Sequence, residues 1–220
     1  AVTPATRIVY LANPNNPTGT LISGAEVRRL HAGLRSDIVF VYDAAYAEYI
    51  DDPAYETGFE LARDHDNVIV TRTFSKIYGL AGMRIGYGFA HEELIRNLLK
   101  VKLPFEPSTP AQAAGIGALA DKEFLHRSLE VNARGLRLLT ESFRRLGLDV
   151  VPSEANFVMV VLPYESEAGR IAGEMLRQGV IVRPLRAFGL PQCLRISTGT
   201  DEENQICVEA MERALMTPAA

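Results

Sequence analysis

Three short apolar runs, each followed by a turn or a helix pattern, constrain the fold of this 220-residue chain more than any other feature. They lie at residues 7–12 (RIVYLA), 37–43 (DIVFVYD) and 67–71 (NVIVT), and a fourth strand is predicted at 84–90. Strands that are apolar on both faces and alternate with helices are typical of a mostly parallel sheet that is covered on both sides. The fold class is therefore predicted to be α/β.

The pattern changes after a proline-rich loop near residues 104–110. A long amphipathic helix is predicted at 121–146. Further helices are predicted at 165–178 and 201–216, and short strands at 149–151, 156–161, 180–182 and 193–197. We therefore expect two domains, at 1–130 and 131–220, joined by the long helix, and the second is expected to be a smaller α+β unit.

Composition argues against several classes of partner and site. The net charge is −4 and no basic run occurs, which argues against nucleic acid. No apolar stretch approaches the roughly 20 residues that span a bilayer, which argues against a membrane. The cysteines, Cys193 and Cys207, are expected to be buried small residues, and the four scattered histidines are expected at the surface, with no metal site. The chain begins with Ala1 and enters a strand almost at once, so we expect that it starts partway through a longer protein.

Polar residues follow each of the first three predicted strands. Asn16 lies in NPNNPTG after the first, Asp43 ends the second with Tyr46 three positions on, and Lys76 follows the third in TFSK. Ligands of open parallel sheets bind outside the carboxyl ends of the strands. We therefore expect these four side chains to converge on one crevice.

This set of side chains suits pyridoxal phosphate, a cofactor that the protein must hold, orient and tune. Lys76 could bind its aldehyde as a Schiff base, and the freed amine could later shuttle a proton. Asp43 could pair with the pyridinium nitrogen and keep it protonated. Tyr46 and Asn16 could donate hydrogen bonds to the ring 3′-oxygen.

A phosphate site is predicted around the same lysine. Hydroxyls stand at Thr73 and Ser75, and a guanidinium stands at Arg84. Hydroxyls and an arginine, which can bind a phosphate bidentately, are the groups that such an anion requires. We therefore expect these three side chains to grip the cofactor phosphate.

Four segments together resemble the fold-type-I aminotransferases: NPNNPTG, DAAYAEY, TFSKIYGLAGMRIGYG and LRISTGT. The resemblance is closest to the histidinol-phosphate aminotransferases. It implies a fold-type-I transferase in which residues 1–130 are the C-terminal part of the large cofactor-binding domain and 131–220 are the small domain. It also implies that the family's N-terminal part is absent from this chain.

The resemblance supports the cofactor roles given above and adds substrate contacts. It implies that Arg195 binds the substrate's anionic group and that Arg183 is a second anion contact for a phosphorylated substrate. The implied reaction converts histidinol phosphate and 2-oxoglutarate to imidazole acetol phosphate and glutamate, in histidine biosynthesis. Family members are cytoplasmic homodimers, so the expected partners are a small amino donor, a 2-oxo acid and a second copy of the chain.

Other functions remain open at this point. An aromatic amino-acid aminotransferase or a threonine-phosphate decarboxylase would share the cofactor residues and differ in the substrate pocket. A non-catalytic truncated remnant, which binds no cofactor, is the alternative from another class of protein.

Overall fold

The computed structural model describes residues 1–217. Its chain divides into two compact units. The first unit comprises Ala1–Pro14 and Leu21–His126, and the second comprises Asn15–Thr20 and the chain from Arg127 onward. None of the helices within this described part is long and apolar enough to cross a membrane.

The first unit contains a four-stranded sheet with helices beside it. Its strands, in the spatial order β1-β2-β3-β4, are Ile8–Ala12, Val39–Asp43, Val68–Thr73 and Gly86–Ala90. The first three strands pair in parallel, as the apolar runs predict, whereas β4 returns antiparallel beside β3. The helices α1 to α4 are Gly24–Ala32, Phe59–Asp64, Glu92–Leu99 and Thr109–Ala120.

The core of the first unit lies against the two central strands. Phe40, Tyr42, Val68 and Val70 are fully buried there. The edge strands differ, because β1 and β4 leave several apolar side chains exposed: Ile8, Tyr10, Tyr87 and Phe89. The prediction of a sheet covered on both sides is therefore wrong for the edge strands of the described chain.

The histidine prediction is wrong at one position. His31, on α1, is buried, and its Nε2 lies 3.0 Å from Oδ1 of Asn67. Its ring also packs on that of His65, with 4.4 Å between the ring centroids. The sequence could not show this, because the residues that cover His31 come from distant parts of the chain.

A long helix, α5, covers Lys122–Arg145, and the division between the units falls within it. The second unit continues with a four-stranded antiparallel sheet whose spatial order is β5-β6-β8-β7. These strands are, in chain order, Asp149–Val151, Phe157–Val161, Arg183–Pro184 and Cys193–Ser197. The helices α6 and α7 are Glu165–Arg177 and Asp201–Met216.

The core of the second unit is almost wholly apolar. Leu139 and Phe143 from α5 pack with side chains of α6, α7 and the sheet, and Cys207 belongs to the same cluster. Both cysteines are buried and free, as predicted, and burial raises the pKa of Cys207 to about 11. The strand predicted at 180–182 is displaced: Val180 and Val182 pack against the core, but strand pairing starts only at Arg183.

Candidate functional site

In the first unit, two neighbouring parallel strands end in polar residues. Asp43 is the last residue of β2 and lies opposite Thr71 of β3. β3 continues to Thr73, and the chain then forms the loop that carries Lys76 before β4 returns. A carboxylate and an amine-bearing loop thus follow the carboxyl ends of adjacent parallel strands, where open α/β sheets bind ligands.

Two donors from different segments hold the Asp43 carboxylate. Its Oδ1 accepts a hydrogen bond of 3.1 Å from the backbone N–H of Ala45. Its Oδ2 accepts one of 3.2 Å from the hydroxyl of Tyr10, on β1. An ionised carboxylate can accept about four hydrogen bonds, so Asp43 can still accept one from a ligand.

Lys76 lies against Tyr46. The Nζ atom of Lys76 is 5.4 Å from the centroid of the Tyr46 ring, within the range of a cation–π contact. Tyr46 is only 4% exposed and begins the 3₁₀ turn at Ala47–Tyr49, directly after the strand that ends in Asp43. The structure therefore brings the amine to the aromatic residue that follows the carboxylate strand.

The loop around Lys76 is tightly hydrogen-bonded. The Thr73 hydroxyl accepts a bond of 3.1 Å from the backbone N–H of Ser75. Gly79 has a φ of +69°, which a glycine adopts without steric cost, and its N–H donates to the carbonyl of Lys76 at 2.9 Å. The backbone at this turn thus fixes where the two hydroxyls and the amine leave the chain.

Arg84 has an unusual backbone. Its φ is +52°, in the left-handed region, which costs a non-glycine residue roughly 1–2 kcal/mol. The side chain is exposed, and its Nη1 donates to the carbonyl of Ala81 at 2.7 Å. Strain of this kind occurs at ligand sites, where the surrounding structure maintains it.

The second unit holds the other predicted residues. Its segment Asn15–Thr20 includes Asn16, whose amide oxygen accepts a hydrogen bond from Nη1 of Arg195. Gly19 has a φ of +78° and packs so closely on Ser153 that a Cβ atom would clash with it. The glycine of the NPTG motif is thus required both by its backbone conformation and by its neighbour.

The two predicted substrate arginines are direct neighbours. Arg183 of β7 lies opposite Arg195 of β8 in the antiparallel register. The Arg195 guanidinium lies 5.0 Å from the ring of Phe157, and its buried Nε has no hydrogen-bond partner among the described atoms. Like charges directly opposite one another in a sheet are unfavourable, so an anion bound between them would relieve the repulsion. Both residues line a cavity of about 700 Å³ in this unit.

Sequence reasoning missed two groups in the first unit. Tyr10 contacts Asp43, and Arg72 forms a buried ion pair with Glu48, its Nη2 lying 2.6 Å from Oε1. A signal for Tyr10 exists, because it stands two residues before Ala12, which is the register partner of Asp43, and therefore shares that face of the sheet. No comparable signal links Arg72 to Glu48, because their pairing depends on the turn after β2.

Comparisons with known proteins identify the family of the chain. Residues 1–211 match the family described as aminotransferase class I and II. The histidinol-phosphate aminotransferase 2 of Ralstonia nicotianae is 48% identical over 216 residues, which are 98% of this chain and 58% of that protein. The histidinol-phosphate aminotransferase of Maricaulis maris is 47% identical over 210 residues, with 94% and 58% covered. The chain thus spans a little under three fifths of the length of these relatives.

Solved structures show the same fold. The histidinol-phosphate aminotransferase of Sinorhizobium meliloti, in complex with pyridoxal-5′-phosphate, superimposes with a TM-score of 0.89 at 33% identity. That comparison covers 94% of this chain and 57% of the other. The L-threonine-O-3-phosphate decarboxylase of Porphyromonas gingivalis gives a TM-score of 0.83 at 25% identity and covers 99% of this chain and 67% of the other. The predicted fold class, a fold-type-I transferase, is confirmed, and the chain belongs to the aminotransferase class I and II family.

Proposed function

We propose that the protein to which this chain belongs is a pyridoxal-phosphate-dependent aminotransferase that acts on histidinol phosphate and 2-oxoglutarate. The products would be imidazole acetol phosphate and glutamate, which places the reaction in histidine biosynthesis. One observation carries the proposal: the Lys76 amine lies over the ring of Tyr46. Lys76 belongs to the loop after β3, and β3 pairs with β2, the strand that ends in Asp43.

The side chains of the first unit fit the cofactor. They lie at the ends of the neighbouring strands β2 and β3 and in the segments that follow them. They comprise a half-buried carboxylate and a buried phenol after β2, and an amine, two hydroxyls and a guanidinium after β3. Asp43 retains the capacity to accept a further hydrogen bond, as a ring N–H would require. When bound, pyridoxal phosphate supplies an electron sink for the bond that breaks on the amino donor.

Each residue of the first unit then has a defined role. Lys76 holds the cofactor through its amine and, once released, moves the proton at the donor's α-carbon. Asp43 binds the pyridine nitrogen and favours its protonated form. Tyr46 donates to the ring 3′-oxygen.

The phosphate would be bound by the turn after β3. Thr73, Ser75 and Arg84 contribute two hydroxyls and a guanidinium, and these are charge-assisted donors toward a dianion. The described hydrogen bond of Arg84 goes to a neutral carbonyl, so the guanidinium keeps its charge available for the phosphate.

The residues of the second unit support a phosphorylated amino donor. Arg195 and Arg183 lie side by side, and a substrate phosphate would match two neighbouring guanidinium groups. Asn16, whose amide oxygen accepts a bond from Arg195, would fix that guanidinium. The names of the relatives from Ralstonia nicotianae and Maricaulis maris favour histidinol phosphate as this donor.

Localisation and assembly are proposed on family resemblance alone. We propose that the complete protein is a homodimer and that it works in the cytoplasm. Sedimentation of the complete protein would test the first of these statements and cell fractionation the second.

The test of the proposed function uses the complete protein, with and without the substitution Lys76→Ala. Borohydride reduction in the presence of pyridoxal phosphate should attach the cofactor to the peptide that contains Lys76, as measured by mass spectrometry. Lys76→Ala should lose this label, and the rate of amino transfer should fall by roughly 10²–10⁴-fold, because the proton-transfer group is removed. Lys100→Ala, which changes an exposed lysine at the end of α3, is the control and should keep both.

The alternatives give different results in the same assay. Faster transfer from phenylalanine than from histidinol phosphate would identify an aromatic aminotransferase. Release of carbon dioxide from threonine phosphate would identify a decarboxylase. A complete protein that takes up no cofactor would be a non-catalytic remnant.

A further inference from the structure

Tyr10 occupies a position that the proposed reaction does not yet use. It lies on β1, whose residue Ala12 pairs with Asp43 of β2 in parallel register. Its side chain is 62% exposed, yet its hydroxyl donates a hydrogen bond of 3.2 Å to Oδ2 of Asp43. Since alternate residues of a strand share a face, Tyr10 lies on the face of the sheet that carries the Asp43 carboxylate.

The carboxylate of Asp43 is held at both of its oxygens. The backbone N–H of Ala45 donates to Oδ1 at 3.1 Å, and the phenol of Tyr10 donates to Oδ2. The first donor belongs to the turn that Asp43 itself begins, so by itself it does not relate the plane of the carboxylate to the neighbouring strand. The second donor comes from a neighbouring strand and fixes that plane against the sheet.

We propose that Tyr10 is a positioning residue for Asp43, holding its carboxylate in the orientation in which it binds the pyridine nitrogen of the cofactor. This inference rests on the proposed function, because it concerns how the carboxylate meets that ring. A hydrogen bond from a neighbouring residue to a ligand-binding group fixes the orientation of that group. Tyr10 itself contacts Asp43 and not the reacting atoms.

The electrostatics of the contact are consistent with a phenol that donates. Partial burial and the negative charge of Asp43 raise the pKa of Tyr10, and hydrogen bonding by Thr71 acts weakly in the opposite direction. The phenol therefore stays protonated at neutral pH. A protonated phenol can donate its hydrogen bond to the Asp43 carboxylate throughout the neutral range.

The test compares the complete protein with Tyr10→Phe, which removes one hydroxyl from an exposed side chain. The first readout is the dissociation constant of pyridoxal phosphate, which should rise roughly tenfold, on the scale of one hydrogen bond to a charged group. The second is the pH dependence of the bound cofactor's absorption band, which should shift because Asp43 is less well oriented. Tyr87→Phe, in the exposed part of β4 of the same sheet, is the matched control and should change neither.

A double-mutant cycle tests whether Tyr10 affects cofactor binding through Asp43. In an Asp43→Asn background, Tyr10→Phe should add no further change, because the group that it positions has been altered. Without cofactor, ultraviolet titration of the complete protein should show one tyrosine that titrates at lower pH after Asp43→Asn and is absent after Tyr10→Phe.

Three results would overturn the inference. Unchanged cofactor affinity and spectrum in Tyr10→Phe would overturn it alone, as would equal effects of Tyr10→Phe with and without Asp43→Asn. A wild-type protein that takes up no cofactor would overturn the proposed function and this inference together, so the two failures are distinguishable.

Discussion

Two arginines of the first unit have opposite surroundings, one on β3 and the other at the end of the loop that follows it. Arg72 is 9% exposed and forms an ion pair of 2.6 Å with Glu48, which is equally buried, while its guanidinium lies 5.4 Å from the Phe59 ring. Arg84 is exposed, has a strained backbone and donates to the neutral carbonyl of Ala81.

The difference separates a structural charge from a charge that is available to a ligand. The Arg72 charge is neutralised by a carboxylate of the same unit, so the ion pair can stabilise the fold but attracts a further anion only weakly. The Arg84 guanidinium donates to a neutral carbonyl, so its charge is not neutralised by this contact. The strained backbone of Arg84 persists only because the surrounding structure maintains it. We expect substitutions at the two positions to affect different properties, stability at the first and binding at the second.

The largest effect on stability is expected for Glu48→Gln. This change leaves the Arg72 charge buried without its counter-ion, and breaking a buried pair in this way costs about 3–5 kcal/mol. The free energy of unfolding of the complete protein, measured in urea, should fall by that amount. Replacing both partners, as Arg72→Met with Glu48→Leu, should recover much of the loss, because no charge is then left buried.

The exposed pair of Arg96 and Glu92 is the control for this measurement. Its nitrogen and oxygen are 2.8 Å apart, but the side chains are 67% and 76% exposed, so solvent screens the interaction. Glu92→Gln should change the free energy of unfolding by only a small fraction of the Glu48→Gln effect. Equal losses at the two sites would refute the assignment of Arg72 as a structural charge.

A smaller effect on stability but a clear effect on binding is expected for Arg84→Gly. Glycine accepts the φ of +52° without strain, and this relief offsets its larger entropy loss, so the free energy of unfolding should change by less than about 1 kcal/mol. The dissociation constant of pyridoxal phosphate should rise roughly 10–100-fold, because a charge-assisted donor to the phosphate is lost.

Arg84→Ala separates strain from charge. It should weaken cofactor binding as much as Arg84→Gly does, but it should be less stable than Arg84→Gly, since alanine keeps the strained φ that glycine relieves. If the cofactor bound equally well to both variants and to wild type, Arg84 would not be a phosphate ligand.

The smallest effect is expected for the surface capping box at the start of α7. Glu203 Oε2 accepts from the N–H of Thr200 at 2.8 Å, and the Thr200 hydroxyl accepts in return from the N–H of Glu203 at 3.2 Å. Thr200→Ala removes half of this capping box at the start of α7 and should destabilise the protein by about 1 kcal/mol.

The pH dependence of this cap follows from the same contact. The backbone hydrogen bond from Thr200 holds the pKa of Glu203 below its ordinary value of 4.5. Its contribution to stability is therefore complete above that ordinary value and is lost as the pH falls through the lower folded pKa. Thermal melts across this acid range should show a shallower decline for Glu203→Gln than for wild type.

Much of the fold follows from local sequence signals. The capping box at Ser23 and Glu26, two residues that are three positions apart, begins α1, and β2 and β3 coincide with apolar runs. The family and the fold class were also predicted correctly from the NPNNPTG and SKIYGLAG motifs. These features depend on residues that are near one another in the chain, so their spacing alone specifies them.

The cofactor and substrate roles stay predictions, although the structure adds geometry to them. It pairs Lys76 with Tyr46 and Arg195 with Asn16, which agrees with the choice of residues but does not test what they bind. Tyr10, by contrast, is not predicted as a site residue from the sequence, because an aromatic residue in a strand is most often a packing residue.

The sequence by itself determined most of the strands and helices, although not the short strand at Arg183–Pro184, because periodicity and capping act over a few residues. Only the tertiary structure decided which charges are neutralised and which polar groups meet. Tyr10 reaches Asp43 through the parallel register of β1 and β2, and Glu48 reaches Arg72 through the turn after β2. Contacts of this kind join side chains that are far apart in the chain, and strand register sets their distances, which residue types alone do not encode.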